Sequence, residues 1–333
     1  MGLTNFPGGL TSMGVPVIGS QGFMTQGNSF FVNPNGGADG NTGKVANKPL
    51  DTVSAALGKC TADQNDVVYF MSGGNASAEC TDYQTANLDW NKDITHLIGI
   101  NSGSLMSQRS RIAWSSTASA TSDTVLFTVS ANGCKFENMQ WYCGIDDANL
   151  SFNVNVTGSR NHFVNCHFGG IGHATNDAAG AYSLLVQGSE NVFDSCVIGI
   201  DTIARGTAAN SEILLSGGAT YGGARNVFRN CYIITYAEAA THQFVSKAAS
   251  GIDRFVLFDN CVFINSILSG GSTMSEAIDV TAGGSPNGFL VFKDCAFFGV
   301  TDIEAAAVSG EVYLLGHTAV AGDNSLGAVT AAS

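Results

Sequence analysis

Charge is scarce in this chain: only 12% of its 333 residues are Asp, Glu, Lys or Arg, against roughly 25% in an average globular protein. Ser, Thr, Asn and Gly must therefore cover much of the surface. Positive charge is scarcer still, with 14 Lys and Arg against 27 Asp and Glu and a net charge of -13. No basic run follows a phosphate backbone, which argues against direct nucleic-acid binding. No segment approaches ~20 uninterrupted apolar residues, and the N-terminus has no basic region followed by an apolar one, so a soluble, non-membrane protein made in the cytoplasm is expected. The nine cysteines contain no C-x-x-C pair and no His pair at zinc-finger spacing, and the six histidines share no spacing. Reduced thiols, no metal site and no cofactor are the expectation.

What is present is a repeated phrase. FVNCHF, FDSCVI, FRNCYI, FDNCVF and FKDCAF begin at Phe163, Phe193, Phe228, Phe258 and Phe292, and FENMQW at Phe136 is an earlier copy with Met139 in place of Cys. The copies recur at 27 to 35 residues, a jitter that suits a coil with loops of variable length better than helical repeats of fixed length. Phe and Cys lie three apart, so in one flat strand they would face opposite ways. Both residue types favour burial, so the strand must turn a corner between them. The residue before Cys supplies it: Asn138, Asn165, Asn230 and Asn260, with Ser195 and Asp294 as departures. Asn tolerates the left-handed backbone region and can reset the in/out alternation.

Upstream of each Phe runs a second apolar stretch ending in a Gly or Ser turn, such as LFTVSANG, FNVNVTGS and SLLVQGS; downstream runs a loop of variable length, such as GGIGHATNDAAGA. Strand, turn, strand, corner, short strand and loop predict an all-β, right-handed parallel β-helix with like residues stacked at about 4.8 Å. The segment FFVNPNGGADGNTGKVANKPLDTVSAALGKC resembles the entry segment of pectate-lyase-like β-helix proteins, a strand and Gly/Asp-rich loop leading to a short capping helix. Leu50, Val53, Ala56 and Leu57 lie on one face of that helix. The expected organisation is an extended arm over 1–28, the β-helix over 29–316 and a tail over 317–333.

The stacked cysteines read as core: parallel thiols are poorly placed for disulfides, and one ligand per rung makes no tetrahedral site. Loop acids offer chemistry instead. Asp146, Asp147, His173, Asp177, Asp201, Arg205, Glu238, Asp302 and Glu304 follow corner strands, and loops on successive rungs could bring them into one groove. A carboxylate pair ~5 to 9 Å apart would suit glycoside hydrolysis. Of the signatures of β-helix lyases and hydrolases, however, only the Asp146-Asp147 pair is present, and the acids also read as solvated loop residues.

The arm, MGLTNFPGGLTSMGVPVIGSQGF, lacks helix or strand periodicity yet carries Leu3, Phe6, Pro7, Leu10, Met13, Val15, Val17 and Ile18, an apolar content that suits ordering against a partner. It is similar to the starts of virion proteins of tailed bacteriophages, and EVYLLGHTAVAGDNSLGAVTAAS resembles their ends. That resemblance implies a virion structural protein, a capsid decoration or cement homotrimer whose arm binds the major capsid protein and neighbouring subunits, with no catalytic group. The alternatives are a tailspike-type polysaccharide lyase or glycoside hydrolase using the loop acids, and an adhesion module for host surface glycan with exposed Trp114, Tyr182, Tyr221 and Tyr236 stacking on sugars.

Overall fold

The computed structural model describes the strands Thr11–Ser12 and Val15–Pro16 and residues 27–316, apart from 75, 102–104, 107–109, 123, 207–209, 218–221, 249–250, 267–270, 281–286 and 305–310. Three parallel sheets wind about a common core. The first, of ten strands, runs from Ser29–Val32 through Lys135–Glu137 and Asn226–Arg229 to Val312–Leu315. The second has eight, from Thr81–Gln84 and Arg111–Trp114 through Gln140–Cys143 and His167–Ile171 to Ala296–Phe298; the third also has eight, from Leu88–Trp90 to Val300–Glu304. The chain visits first, second and third sheet in turn before climbing one rung, which makes a right-handed parallel β-helix, as the repeat predicts.

The repeated phrase explains the coil. Phe136, Phe163, Phe193, Phe228, Phe258 and Phe292 are fully buried and stack with ring centroids 4.5–4.8 Å apart and planes within 10°. Each such contact adds roughly 0.5–1.5 kcal/mol beyond area burial. The corner residues Asn138, Asn165, Ser195, Asn230, Asn260 and Asp294 all take φ between 48° and 56°, and past them Met139 and the five cysteines of the phrase point inward. None of the nine cysteines forms a disulfide. The thiols of the five phrase cysteines donate to carbonyls of the strand before, as Cys231 Sγ does to Phe193 O at 3.4 Å.

A second asparagine column, inside the coil, escaped the sequence reading. Asn161, Asn191 and Asn226 are buried. Asn191 Oδ1 accepts from Asn161 N at 2.9 Å while its Nδ2 donates to Gly158 O at 3.1 Å, and Asn226 repeats the pattern one rung on. Each column member follows a left-handed residue, Arg160, Glu190 or Arg225. These three rungs thus have a second sharp corner, with its polar groups satisfied along the coil axis.

The helix α1 (Val53–Lys59) starts at Thr52, whose hydroxyl accepts from Ala55 N at 3.1 Å, and buries Val53, Ala56 and Leu57 on the first strands. Leu50 is buried beside them. Asp82 reaches α1 from the second sheet and accepts from Val53 N at 2.7 Å; burial lifts its carboxyl to about 6. In the arm, Thr11–Ser12 pairs antiparallel with Val15–Pro16. Leu3, Phe6, Pro7, Leu10, Met13, Val17 and Ile18 lie outside the described residues, as does the 317–333 tail.

Candidate functional site

The residue after each Met or Cys of the phrase points away from the core. Parallel register aligns Thr81, Arg111, Gln140 and His167 in one outward column of the second sheet, and further along the same column come Val197, Tyr232, Val262 and Ala296. Over the polar members lies a groove of about 490 Å³, lined also by Ser77, Tyr83, Met106, Ala113, Trp114, Tyr142, Gly144, Ile200 and Thr202. In an acidic chain, the described lining contains one formal cation, Arg111, and no carboxylate.

The polar column is internally tied. His167 Nε2 stands 3.1 Å from Gly199 O, Gln140 Nε2 stands 2.8 Å from His167 Nδ1, and Arg111 Nε donates to Gln140 Oε1 at 2.5 Å. Only one assignment satisfies all three. A carbonyl can only accept, so Nε2 carries the imidazole proton; Nδ1 then accepts from the amide, and the amide oxygen is turned to the guanidinium. Burial holds the imidazole neutral by lowering its pKa to about 4. His167 therefore has both nitrogens committed and anchors the column, while Arg111 is the charged group at the groove.

Two phenols flank this cation. Tyr83 and Tyr142 share register with Ala113 between them, so the small side chain leaves a hollow between two rings. Tyr142 lies flat because Gly144 and Gly172 leave room for it: a Cβ on either would stand 2.3 Å from the ring. Its hydroxyl donates to Gly172 O at 3.1 Å, and the Arg111 guanidinium carbon lies 5.9 Å from its ring centroid. Burial raises the phenol pKa, with Arg111 opposing. Tyr83 is 47% exposed at the surface.

The loop acids do not line this groove. Asp146 is exposed and accepts from Thr175 Oγ1 at 2.6 Å, with His173 Nδ1 at 3.9 Å. Asp147 accepts from Ala120 N and Asn149 N at 3.0 and 2.9 Å, which lowers its pKa; it staples two loops together. Asp177 is buried with Arg205 at 3.4 Å, and Asp201 accepts from Ser266 Oγ at 3.3 Å. Glu238 and Asp302 are exposed, and Glu304 is half-buried. The loops do stack side by side, but main-chain donors and Arg205 already occupy Asp147 and Asp177. Nor are all the proposed stacking aromatics exposed. Trp114 is buried at the groove wall, and Tyr182 is buried with its hydroxyl donating to Asn155 Oδ1 at 2.6 Å. Tyr236 is half-buried, and Tyr221 lies outside the described residues. Among the described residues no group of three His, Cys, Asp or Glu side chains is placed to share a metal ion.

A scan against protein-family profiles finds no match, and a search of curated proteins finds none either. Solved structures do match. Pectate lyase Pel9A aligns at TM-score 0.58 and 15% identity over 91% of this chain and 73% of that one. The pectin methylesterase from Aspergillus niger aligns at 0.57 and 14% over 94% of both chains, and a pectin methylesterase in complex with a hexasaccharide aligns at 0.53 and 12% over 88% of this chain and 82% of that one. At such identities the likeness establishes the pectate-lyase-like fold. It also corrects the expectation of a non-catalytic chain, since these neighbours are carbohydrate-processing enzymes.

Proposed function

We propose that this protein is a polysaccharide lyase acting on a uronate-bearing glycan in the groove of the second sheet. The observation that carries this reading is the tied column: a cation held by Gln140 and His167, beside two phenols, in a groove whose described lining holds no carboxylate. Paired-carboxylate hydrolysis lacks its groups there. β-Elimination needs other ones. Arg111 pairs with the sugar carboxylate and stabilises the negative charge that spreads onto it when the neighbouring C–H proton leaves. Tyr83, as its phenolate after releasing its own proton to solvent, accepts that proton, while Tyr142, whose hydroxyl donates to Gly172 O and whose pKa burial raises, stays protonated. The C–O bond to the next sugar breaks, a carbon–carbon double bond forms, and the departing oxygen takes a proton from the other phenol. Rungs about 4.8 Å apart suit an extended polymer laid across them, and Tyr83 and Tyr142 offer faces to sugar rings. The capsid-cement reading drew on arm and tail residues that lie almost wholly outside the described ones, and the groove supports the lyase alternative better.

The test is ultraviolet absorbance of unsaturated product on incubation with polygalacturonate and with alginate. Product should accumulate from one of them, and Arg111→Met should lower kcat/KM by about 100-fold, the equivalent of ~3 kcal/mol. Absence of product from every uronate polymer tried, or an Arg111→Met variant as active as the parent, would overturn the proposal.

A further inference from the structure

Beneath the column lies a charged cluster that the chemistry above does not use. Glu212 and Arg205 are fully buried on the third-sheet side, with Arg205 Nε 3.7 Å from Glu212 Oε1 and 3.4 Å from Asp177 Oδ1. Thr235 Oγ1 donates to Glu212 Oε1 at 2.9 Å, Ser183 Oγ donates to Oε2, and His242 Nε2 is 3.3 Å from Oε1. Burial alone would raise the Glu212 pKa, but Arg205, His242 and Ser183 outweigh it and bring it to about 2. A buried ion pair adds little net stability over an apolar filling, whereas it does fix geometry.

The geometry it fixes is that of Gly199. This residue has φ +89°, and a Cβ built on it would stand 2.9 Å from the Glu212 carboxylate and 2.1 Å from Ile234 O. The carboxylate is packed against the peptide whose carbonyl receives the His167 proton. One continuous path thus runs from the cluster through Gly199, His167 and Gln140 to Arg111. We infer that Glu212 is a positioning residue for the groove, setting the Gly199 carbonyl and through it the His167 tautomer and the aim of Arg111. This inference rests on the proposed function only for its binding readout.

The experiment uses the full chain, with ¹H–¹⁵N correlation of the His167 imidazole and calorimetric titration with galacturonate oligosaccharides. The parent should show one neutral tautomer protonated at Nε2. Glu212→Gln should give a mixture of tautomers and about tenfold weaker binding, and Ser183→Ala, which removes a single donor to Glu212, should give a smaller shift of the same sign. Phe228→Ala, which loosens the core away from this path, should leave the imidazole signals in place. Unchanged His167 signals in both Glu212→Gln and Ser183→Ala overturn the inference. If Glu212→Gln does not fold, unchanged signals in Ser183→Ala suffice to overturn it. A parent that binds no uronate overturns the functional proposal alone, because the imidazole signals still decide the role of Glu212.

Discussion

One outward column of the second sheet reads Thr81, Arg111, Gln140, His167 over its first four rungs and Val197, Tyr232, Val262, Ala296 over its last four. Parallel pairing joins the rungs in both halves, although the first two rungs lack the Phe-Cys phrase and the register shifts between Trp141 and Cys143. The same scaffold thus accepts different residues outside, and in this column the side chains that hydrogen-bond from rung to rung beside the groove, with the cation Arg111 among them, stand in the first half. On a solenoid, the repeat builds the coil, and departure from the repeat on an outer face marks a site.

Disturbing what the halves share has the largest expected effect. Phe228→Ala removes one ring from the middle of the stack and should cost roughly 3–5 kcal/mol in urea unfolding. Because neighbouring rungs depend on each other, the loss should show as earlier cooperative unfolding, with groove binding retained at low denaturant.

A smaller effect, and a pH-dependent one, belongs to the first half only. Asp82 points inward between Thr81 and Tyr83, and burial raises its pKa from 3.8 to about 6. A carboxyl with a raised folded pKa favours the folded state while protonated; that contribution is whole below pH 3.8 and is lost as pH rises through 6. Asp82→Asn keeps an acceptor for Val53 N without the charge. It should stabilise the protein by up to about 3 kcal/mol at neutral pH and by nothing near pH 4, as denaturant midpoints at the two pH values would show. Smallest of all, Val262→Gln places in the second half the residue that serves at Gln140. Its side chain is half-exposed, so stability should change by less than about 0.5 kcal/mol. Turnover should not change either, because no Arg or His stands in register beside it.

Much of the coil was legible. Phe and Cys three apart demanded a corner, Asn could make it, and the corner residues do take positive φ. The helix face Val53, Ala56 and Leu57 was legible for the same kind of reason, since spacing decides which side chains share a face, whereas Leu50, expected on it, lies before the helix and bridges Val32. The inner Asn161–Asn191–Asn226 column was missed, although it follows the Gly/Ser turn in three successive copies. A polar residue reads as solvent-facing until its hydrogen bonds along the axis are seen. The groove was missed as well. Its signal lay in the variable position after Met139 and Cys166, where Gln and His stand in place of the apolar residues of later copies, but Arg111 belongs to a rung without the phrase and could not be placed in register. The loop acids misled because carboxylates are read as available groups, while Asp147 and Asp177 are taken up by backbone and Arg205.

The sequence by itself determined the coil, because burial and backbone preference act on each residue locally and the repeat applies them again at every rung. The tertiary structure decided the site. Arg111, Gln140 and His167 are each separated from the next by about a rung of chain, and only stacking in a particular register sets their hydrogen bonds end to end. That register depends on the lengths of loops whose sequences carry no periodicity, so the contacts that give the groove its charge and shape exist only once the rungs are wound.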